Sequence, residues 1–147
     1  MKKHLIILML LLLTSCSQTK EDSPEQQIRQ VLANIEQGIE DRSLSAVMDN
    51  IDDNYNDHQG RTKKDLKRYL QLQILRNQNI TIFSKIRSLE VNQQLASIEL
   101  SAASAARGVD LNIETNRLKA DSHRASIVLT ETNDGWKVTS SSWNRGW

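Results

Sequence analysis

Two alternating β-type runs joined by a turn stand near the end of the chain and constrain its fold most strongly. Asp134 and Gly135 lie between the runs, and an Asp-Gly pair in this setting predicts a hairpin with a type I′ turn, whose two central residues take positive φ. With these two residues alone in the loop, Glu131 lies opposite Val138, whereas a three-residue loop would give Trp136 a poorer apolar set of neighbours. The two-residue turn places four apolar residues on one face of the predicted sheet: Ile127, Leu129, Trp136 and Val138.

A short apolar segment stands at the start of the chain. It runs from Leu5 to Leu13 behind Lys2 and Lys3, and it is too short to span a bilayer. A basic start followed by an apolar run of this length is typical of a signal peptide. Residues 1–15 are therefore expected to be removed rather than to anchor the chain or join its fold.

The residues that end this segment, Leu13-Thr14-Ser15-Cys16, resemble the lipobox of bacterial lipoproteins. The resemblance implies that Cys16 receives lipid, including palmitate, and that residues 16–23 form a flexible tether. Several acyl chains would hold the protein at a membrane, because each buried methylene contributes about 0.8 kcal/mol. By the same resemblance, lipoprotein processing and sorting machinery are partners, and Ser17 favours the periplasmic side of the outer membrane. The alternative is an ordinary secretory signal with an incidental cysteine.

Composition limits the rest of the chain to one domain of nearly neutral charge. Loss of Lys2 and Lys3 would reduce the 19 basic residues by two, against 18 acidic ones. This balance and the predicted export both argue against nucleic acid as a partner. Cys16 is the single cysteine of the 147 residues, so no disulfide can form within the chain.

Three helices are predicted before any strand. Ser23 with Gln26 and Thr62 with Asp65 are capping pairs, and Ser43 can cap a short helix between the other two. The apolar residues on the core-facing stripes are Ile28, Val31, Leu32, Ile35 and Ile39, then Leu44, Val47, Met48 and Ile51, and finally Leu66, Tyr69, Leu70 and Ile74.

After the third helix, the apolar period changes to two, which predicts strands. The phase of this pattern slips once, so a β-bulge is expected near Arg87 or Ser88. Residues 96–102 alternate cleanly after a turn at 92–94, whereas residues 107–119 have no settled period and are expected to form a long loop. Helices followed by strands predict an α+β domain with the helices on one face of an antiparallel sheet.

The chain between residues 24 and 143 resembles the nuclear transport factor 2-like (cystatin-like) cone fold. The cues are the long first helix, the short second one, the loop 56–60 before the third, the meander, and the closing hairpin at 134–138. The resemblance implies one α+β domain, residues 24–147, with three N-terminal helices packed on a strongly curved antiparallel sheet of four or more strands. This superfamily includes ketosteroid isomerase, scytalone dehydratase and transport factors, so the fold alone does not choose a function. No position here matches the catalytic triad of ketosteroid isomerase, and no catalytic residue is carried over.

Cone folds of this kind tend to hold a cavity between sheet and helices, where a small ligand can bind. The pocket candidates are Tyr69, Phe83, Glu131, Trp136 and Trp143. Glu131 shares a face with Trp136, and partial desolvation there would make it a weak candidate for a catalytic base. The competing interpretation places Glu131 at the exposed end of the sheet near Lys137, with the tryptophans in the core.

One group of residues has the donor chemistry of a metal site. It comprises Asp53, Asp57 and His58 in one loop, with His123 as a more distant fourth member. Their spacing matches no established ligand pattern, and a loop histidine is usually solvated. Neither a metal nor another cofactor is expected.

Charge is unevenly distributed along the chain. The stretch from Glu36 to Asp57 contains seven acidic residues and one basic residue, Arg42. The stretch from Arg61 to Arg87 contains eight basic residues and one acidic residue, Asp65. Such a dipolar surface could steer an anionic partner, lipid head groups or an envelope polymer, onto the third helix. The alternative is two solvated helix faces that pair with each other.

The expected function is that of a non-catalytic binding or accessory module of the cell envelope. One alternative is a small lyase or isomerase that uses Glu131 or an aspartate in the cavity. A second alternative is a dimeric structural module. Its contact would lie on the open sheet face, with Arg124 and Ser126 or Thr139 and Ser141 at the interface.

Overall fold

The computed structural model describes residues 23–108 and 118–145. The predicted signal peptide, Cys16, the tether as far as Asp22 and most of the predicted loop lie outside these residues. The elements are α1 (Pro24–Glu40), α2 (Leu44–Met48), α3 (Lys63–Arg76), β1 (Asn77–Asn92), β2 (Leu95–Gly108), β3 (Leu118–Thr132) and β4 (Gly135–Arg145). Within the described ranges, no helix is long and apolar enough to cross a membrane. The predicted α+β order of three helices and then strands is confirmed.

The helix starts are where the capping signals place them. At α1, the backbone N–H of Gln26 donates to the Ser23 hydroxyl at 3.3 Å, and the backbone N–H of Ser23 donates to the Gln26 side chain at 3.1 Å. At α3, the backbone N–H of Thr62 donates to Asp65 Oδ2 at 3.0 Å. Ser43 accepts from the backbone N–H of Ala46 at the start of α2. These bonds satisfy N–H groups that a helix start would otherwise leave unpaired.

The four strands form one antiparallel sheet in the order β1-β2-β3-β4. The predicted bulge in β1 is confirmed, since the register shifts between Ile86 and Ser88. The sheet is not strongly curled, so the predicted strong curvature is wrong. The two central strands pair without any register shift from Leu95 opposite Thr130 to Arg107 opposite Leu118, and bulges occur only in the outer pairs. Without a bulge between the central strands, nothing forces a sharp bend there.

The closing hairpin turns one residue earlier than predicted. Its turn residues are Asn133 and Asp134, and φ is positive at Gly135 (90°) but at neither of those two, so the type I′ prediction is wrong. Glu131 therefore lies opposite Trp136 rather than opposite Val138. Because the register moves by two residues, the inner face keeps its predicted members. Leu129, Trp136 and Val138 are buried there, and Ile127 is partly buried.

A further bulge lies in the outer pair β3–β4, and the sequence pattern did not predict it. Val138 pairs with Leu129 but Ser140 pairs with Val128, so Thr139 is the extra residue. The bulge reverses which residues of β4 face the helices. Ser141 consequently lies on the inner face, with the helices. The dimer hypothesis assumed that Ser141 lies on the open sheet face, and this assumption is wrong.

Each edge strand of the sheet forms hydrogen bonds with a segment outside the sheet. On β4, the residues after α2 form a parallel bridge between Ile51 and Val138, with a 2.9 Å bond from the Asp52 N–H to the Val138 carbonyl. On β1, the Ile82 N–H donates to Glu40 Oε1 of α1 at 2.7 Å. The backbone bonds on β4 obstruct pairing with a strand from another chain at that edge. The core between helices and sheet includes Ile28, Val31, Leu32, Met48, Ile98, Leu129 and Trp136.

Candidate functional site

An apolar cavity of about 310 Å³ lies between the helices and one end of the inner sheet face. Ile35 and Ile39 of α1 form one wall, and Leu66 and Leu70 of α3 form another. Both pairs follow from the helical spacing of the sequence, which puts them on the core-facing stripes. The size and apolar walls are those of a site for a small organic molecule.

Small side chains on the sheet create this space. Along the inner face of β2, Ile98 and Leu100 are buried, and the next inner positions, Ala102 and Ser104, line the cavity. Side-chain size changes in the same way on β3, where Leu129 is buried and Ala125, four residues before it, lines the cavity. The helices lie over these small residues without filling the space above them. The cavity is therefore the volume that larger side chains would have occupied.

A few polar groups lie in the cavity wall. The Tyr55 hydroxyl and Ser141 Oγ are 2.5 Å apart, and both residues line the cavity. Burial raises the pKa of Tyr55, and the hydrogen bond with Ser141 opposes that shift in part. His123 of β3 is the imidazole in the wall. Among the described lining residues there is no carboxylate, so polar recognition would come from hydroxyl and imidazole groups.

A buried carboxylate braces the cavity from behind. Asp57 accepts from the backbone N–H groups of Gln59 and Arg61, both at 2.8 Å, and from Arg61 Nε at 2.5 Å. Its side chain is 1% exposed. Desolvation would raise the pKa of Asp57, but the hydrogen bonds from Arg61 and Gln59 outweigh it and hold the pKa below its ordinary value.

The same arginine holds the aromatic wall of the cavity. The guanidinium carbon of Arg61 lies 4.8 Å from the centroid of the Trp143 ring, which is the geometry of a cation–π contact. Trp143 itself lines the cavity. Asp57 therefore orients Arg61, and Arg61 in turn fixes the position of Trp143.

The structure brings together two of the five predicted pocket residues. Tyr69 and Trp143 line the cavity. Phe83 lies outside its lining and is 66% exposed, and Trp136 is 3% exposed in the packed core. Glu131 is exposed beside the closing turn and also lies outside the cavity. The weak catalytic candidate is therefore at the solvated end of the sheet, because the inner face reaches solvent where the hairpin turns.

The residues of the weighed metal cluster are dispersed among different contacts. Asp53 forms an ion pair with Lys63 at 2.8 Å, and Asp57 forms one with Arg61. His58 is exposed in the loop, whereas His123 lines the cavity. In residues 23–108 and 118–145, no three His, Cys, Asp or Glu side chains form a group that could hold a metal ion.

Sequence reasoning missed Tyr55, Ser141, Ala102 and the role of His123 in the cavity. The loop from Asp52 to Gly60 reads as polar, and its one aromatic residue was the available signal for a buried anchor. The change from Ile and Leu to Ala and Ser along β2 was the available signal for the cavity. Ser141 could not be placed, because its orientation depends on the unpredicted bulge at Thr139.

Comparisons with solved structures identify the fold. A superfamily protein from Salmonella enterica serovar Typhimurium superposes with a TM-score of 0.69 at 13% identity, covering 84% of this chain and 92% of that one. A candidate dehydratase from Streptomyces avermitilis gives a TM-score of 0.74 at 16% identity, covering 86% and 99%. The domain has the nuclear transport factor 2-like fold. The predicted cone fold, apart from its curvature, is thereby confirmed.

The structures that superpose on this domain are named for different activities. A hexachlorocyclohexane dehydrochlorinase of type 2 superposes with a TM-score of 0.66 at 12% identity, covering 82% of this chain and 84% of that one. At identities this low, similarity extends to the fold alone. No protein-family model and no curated protein sequence matches this chain.

Proposed function

We propose that this chain is a lipoprotein anchored through Cys16 whose domain binds a small, largely apolar molecule without transforming it. The observation that carries the binding function is the cavity of about 310 Å³ with isoleucine, leucine and alanine walls. A molecule in this space would bury apolar surface worth about 25 cal/mol per Å². The hydroxyls of Tyr55 and Ser141, together with His123, would fix its orientation.

The test of binding is non-denaturing mass spectrometry of the protein purified from membranes, with and without a variant that fills the cavity. Ala102→Leu adds three carbons to the cavity wall, and we expect it to abolish the bound mass. Ala33→Leu adds the same atoms at an exposed position of α1 and should retain it. An equal yield of bound molecule from both variants would place the ligand elsewhere and contradict the proposal.

Anchoring is tested separately. Metabolic labelling with a fatty-acid probe should tag the wild-type chain and leave Cys16→Ser untagged, with the variant lost from the membrane fraction. The sequence pattern at residues 13–16 supports this part of the proposal. An untagged wild-type chain would overturn the anchoring and leave the cavity proposal standing.

A lyase or isomerase is the second candidate function, and one observation favours it. His123 lies in the wall of an otherwise apolar cavity, where an imidazole can act as a general base. The earlier candidate base, Glu131, lies outside the cavity. Incubating the molecule identified by mass spectrometry with wild type and with His123→Gln decides between the two functions. Conversion by wild type alone would establish the enzyme.

A dimer through the open sheet face is a third candidate, with Arg124 and Ser126 as the contact residues. Arg124 is exposed and Ser126 is paired with Ser142 on the open sheet face, whereas Ser141 lies in the cavity wall and cannot contribute to a contact there. Sedimentation of the lipid-free domain at high concentration tests this alternative, and a monomer removes it.

A further inference from the structure

The outward face of α3 combines positive charge with exposed apolar side chains. The helix carries five basic residues and one acidic residue. Lys64, Arg68, Leu72 and Leu75 follow one another at helical spacings of four, four and three, so they share one stripe. All four are exposed, Leu72 at 49% and Leu75 at 62%. This stripe is named the outer stripe of α3.

The positive charge of this region is only partly neutralised. Lys63 is engaged by the Ile51 carbonyl at 2.6 Å and by Asp53 at 2.8 Å. Lys64 and Lys67 form no ion pair with any described residue. Both border a groove of about 390 Å³ at the start of α3. The Asp53 carboxylate also lines this groove, but it is paired with Lys63, so an anionic group here would meet the ammonium groups of Lys64 and Lys67.

We infer that the outer stripe of α3 lies on a membrane surface that carries anionic phospholipid head groups. Cations beside exposed leucines are the composition of helices that lie in the interfacial plane, because head groups take the charge and the acyl boundary takes the apolar chains. A soluble anionic polymer would use the cations but leave Leu72 and Leu75 in water. The exposed apolar pair therefore favours lipid over polymer.

The tether and the cavity are both consistent with this orientation. Seven residue steps from Cys16 to Ser23 span at most about 25 Å, which holds the domain close enough for weak surface contacts to act. The opposite face of α3 forms the cavity wall through Leu66, Tyr69 and Leu70. Docking would bring the cavity wall next to the bilayer, from which an apolar molecule could enter. Only the tether depends on the proposed anchoring.

The charge requirement is tested with the lipid-free chain beginning at Ser17, which keeps the Ser23 cap and the whole described core from Ile28 to Val138. We expect it to cosediment with vesicles of phosphatidylcholine and phosphatidylglycerol in equal parts, and not with phosphatidylcholine alone. Lys64→Gln with Lys67→Gln removes one cation of the outer stripe and the neighbouring cation beside it, and should lower the partition coefficient about fivefold for each cation removed. The matched pair Lys85→Gln with Arg124→Gln removes two exposed cations from the sheet and should have little effect.

The apolar requirement has its own matched pair. Leu72→Gln with Leu75→Gln should weaken vesicle binding at least fivefold, whereas Phe83→Gln with Leu95→Gln, equally exposed elsewhere, should not. Because the chain beginning at Ser17 contains no cysteine, Leu72→Cys can carry an environment-sensitive fluorophore, with Ser97→Cys on the open sheet face as its control. A blue shift on vesicles is expected at position 72 alone, and circular dichroism verifies the fold of each variant.

Three outcomes would overturn the inference. They are indifference to phosphatidylglycerol, equal losses in the matched pairs, and binding that needs the lysines but not the leucines, which would indicate a polyanion instead. Each of these leaves ligand binding in the cavity and lipid on Cys16 intact. Failure of those two proposals would equally leave the vesicle result unchanged.

Discussion

The two ends of the inner sheet face differ although the same strands and the same helix α1 cover both. At the hairpin end, Ile28 of α1 and Ile98, Leu129 and Trp136 of the sheet are buried in a continuous core. At the other end, Ile35 and Ile39 of α1 and Ala102, Ala125 and His123 of the sheet surround empty space. The hairpin end therefore stabilises the fold through packing, whereas the other end is packed less completely and leaves room for a ligand.

Side-chain volume along the two central strands contributes to this difference. The pairing of β2 with β3 continues without a register shift across the boundary between the two ends. No glycine or bulge separates the buried Leu100 from Ala102 in the cavity wall. The candidate site is thus encoded by small residues at positions where the fold itself would accept large ones. Substitutions that add or remove volume should act oppositely at the two ends.

The largest expected effect comes from removing volume at the packed end. Leu129 is 0% exposed, and Leu129→Ala should lower the free energy of unfolding by about 4 kcal/mol. Leu70→Ala removes the same atoms from the cavity wall, where one side already borders empty space, and should cost about 1 kcal/mol. Urea unfolding measures both. Equal losses would show that the cavity end is packed as densely as the core.

Adding volume should separate the two ends by about 3 kcal/mol. Ala96 is 1% exposed in the core, so Ala96→Leu should overpack it and destabilise the fold by about 2 kcal/mol. Ala102→Leu should instead fill empty space and stabilise the fold by about 1 kcal/mol. Thermal unfolding of the two variants beside wild type gives the sign directly. A destabilised Ala102→Leu would mean that the cavity closes in solution.

The sequence predicted the parts of this fold that local chemistry determines. Ser23 and Gln26 bond to each other's backbone within three residues, so their spacing alone locates the start of α1. The bulge after Ile86 was predictable because β1 carries enough isoleucine and leucine for a slip in phase to be visible. Both signals lie within one element and need no knowledge of its neighbours.

The remainder could not be predicted, because it depends on contacts between distant elements. The residues between Val138 and Trp143 are threonine and serine, which show no apolar phase, so the sequence does not locate the bulge that turns Ser141 and Trp143 inward. Trp143 was predicted in the pocket, but its inward orientation requires that bulge. Likewise, Asp57 and Arg61 read as loop charges until the fold places the Trp143 ring beside the guanidinium.

The bracing behind the cavity gives a smaller effect that depends on pH. Asp57→Ala should cost about 2 kcal/mol, because it leaves Arg61 and two backbone N–H groups without their acceptor. Since the folded pKa of Asp57 is lowered, its stabilisation is present above the unfolded pKa of about 4 and is lost as the pH falls through the folded pKa.

Asp53→Ala is the matched control, because the same loop holds this carboxylate in an exposed ion pair with Lys63. It should leave stability nearly unchanged at neutral pH. Urea midpoints of both variants at neutral pH and at a pH below the lowered folded pKa of Asp57 measure the contrast, with wild type and Asp57→Ala converging in acid. A difference that persists at low pH would mean that Asp57 acts through packing rather than through charge.

The smallest effect concerns the hydroxyl that joins the bulged strand to the loop. Tyr55 is 2% exposed, and its hydroxyl meets Ser141, which faces inward only because of the bulge at Thr139. Tyr55→Phe should cost about 1 kcal/mol, whereas Tyr69→Phe, at 42% exposure, should change stability by less than about 0.5 kcal/mol.

Burial raises the folded pKa of Tyr55, so wild-type stability holds below the unfolded pKa of about 10 and falls as the pH rises above it. Urea midpoints near pH 8 and above about pH 10 should show the alkaline loss weakened in Tyr55→Phe and retained in Tyr69→Phe. If both tyrosine variants retain it equally, the inward turn of Ser141 does not couple the cavity wall to the loop, and the contrast between the two ends rests on volume alone.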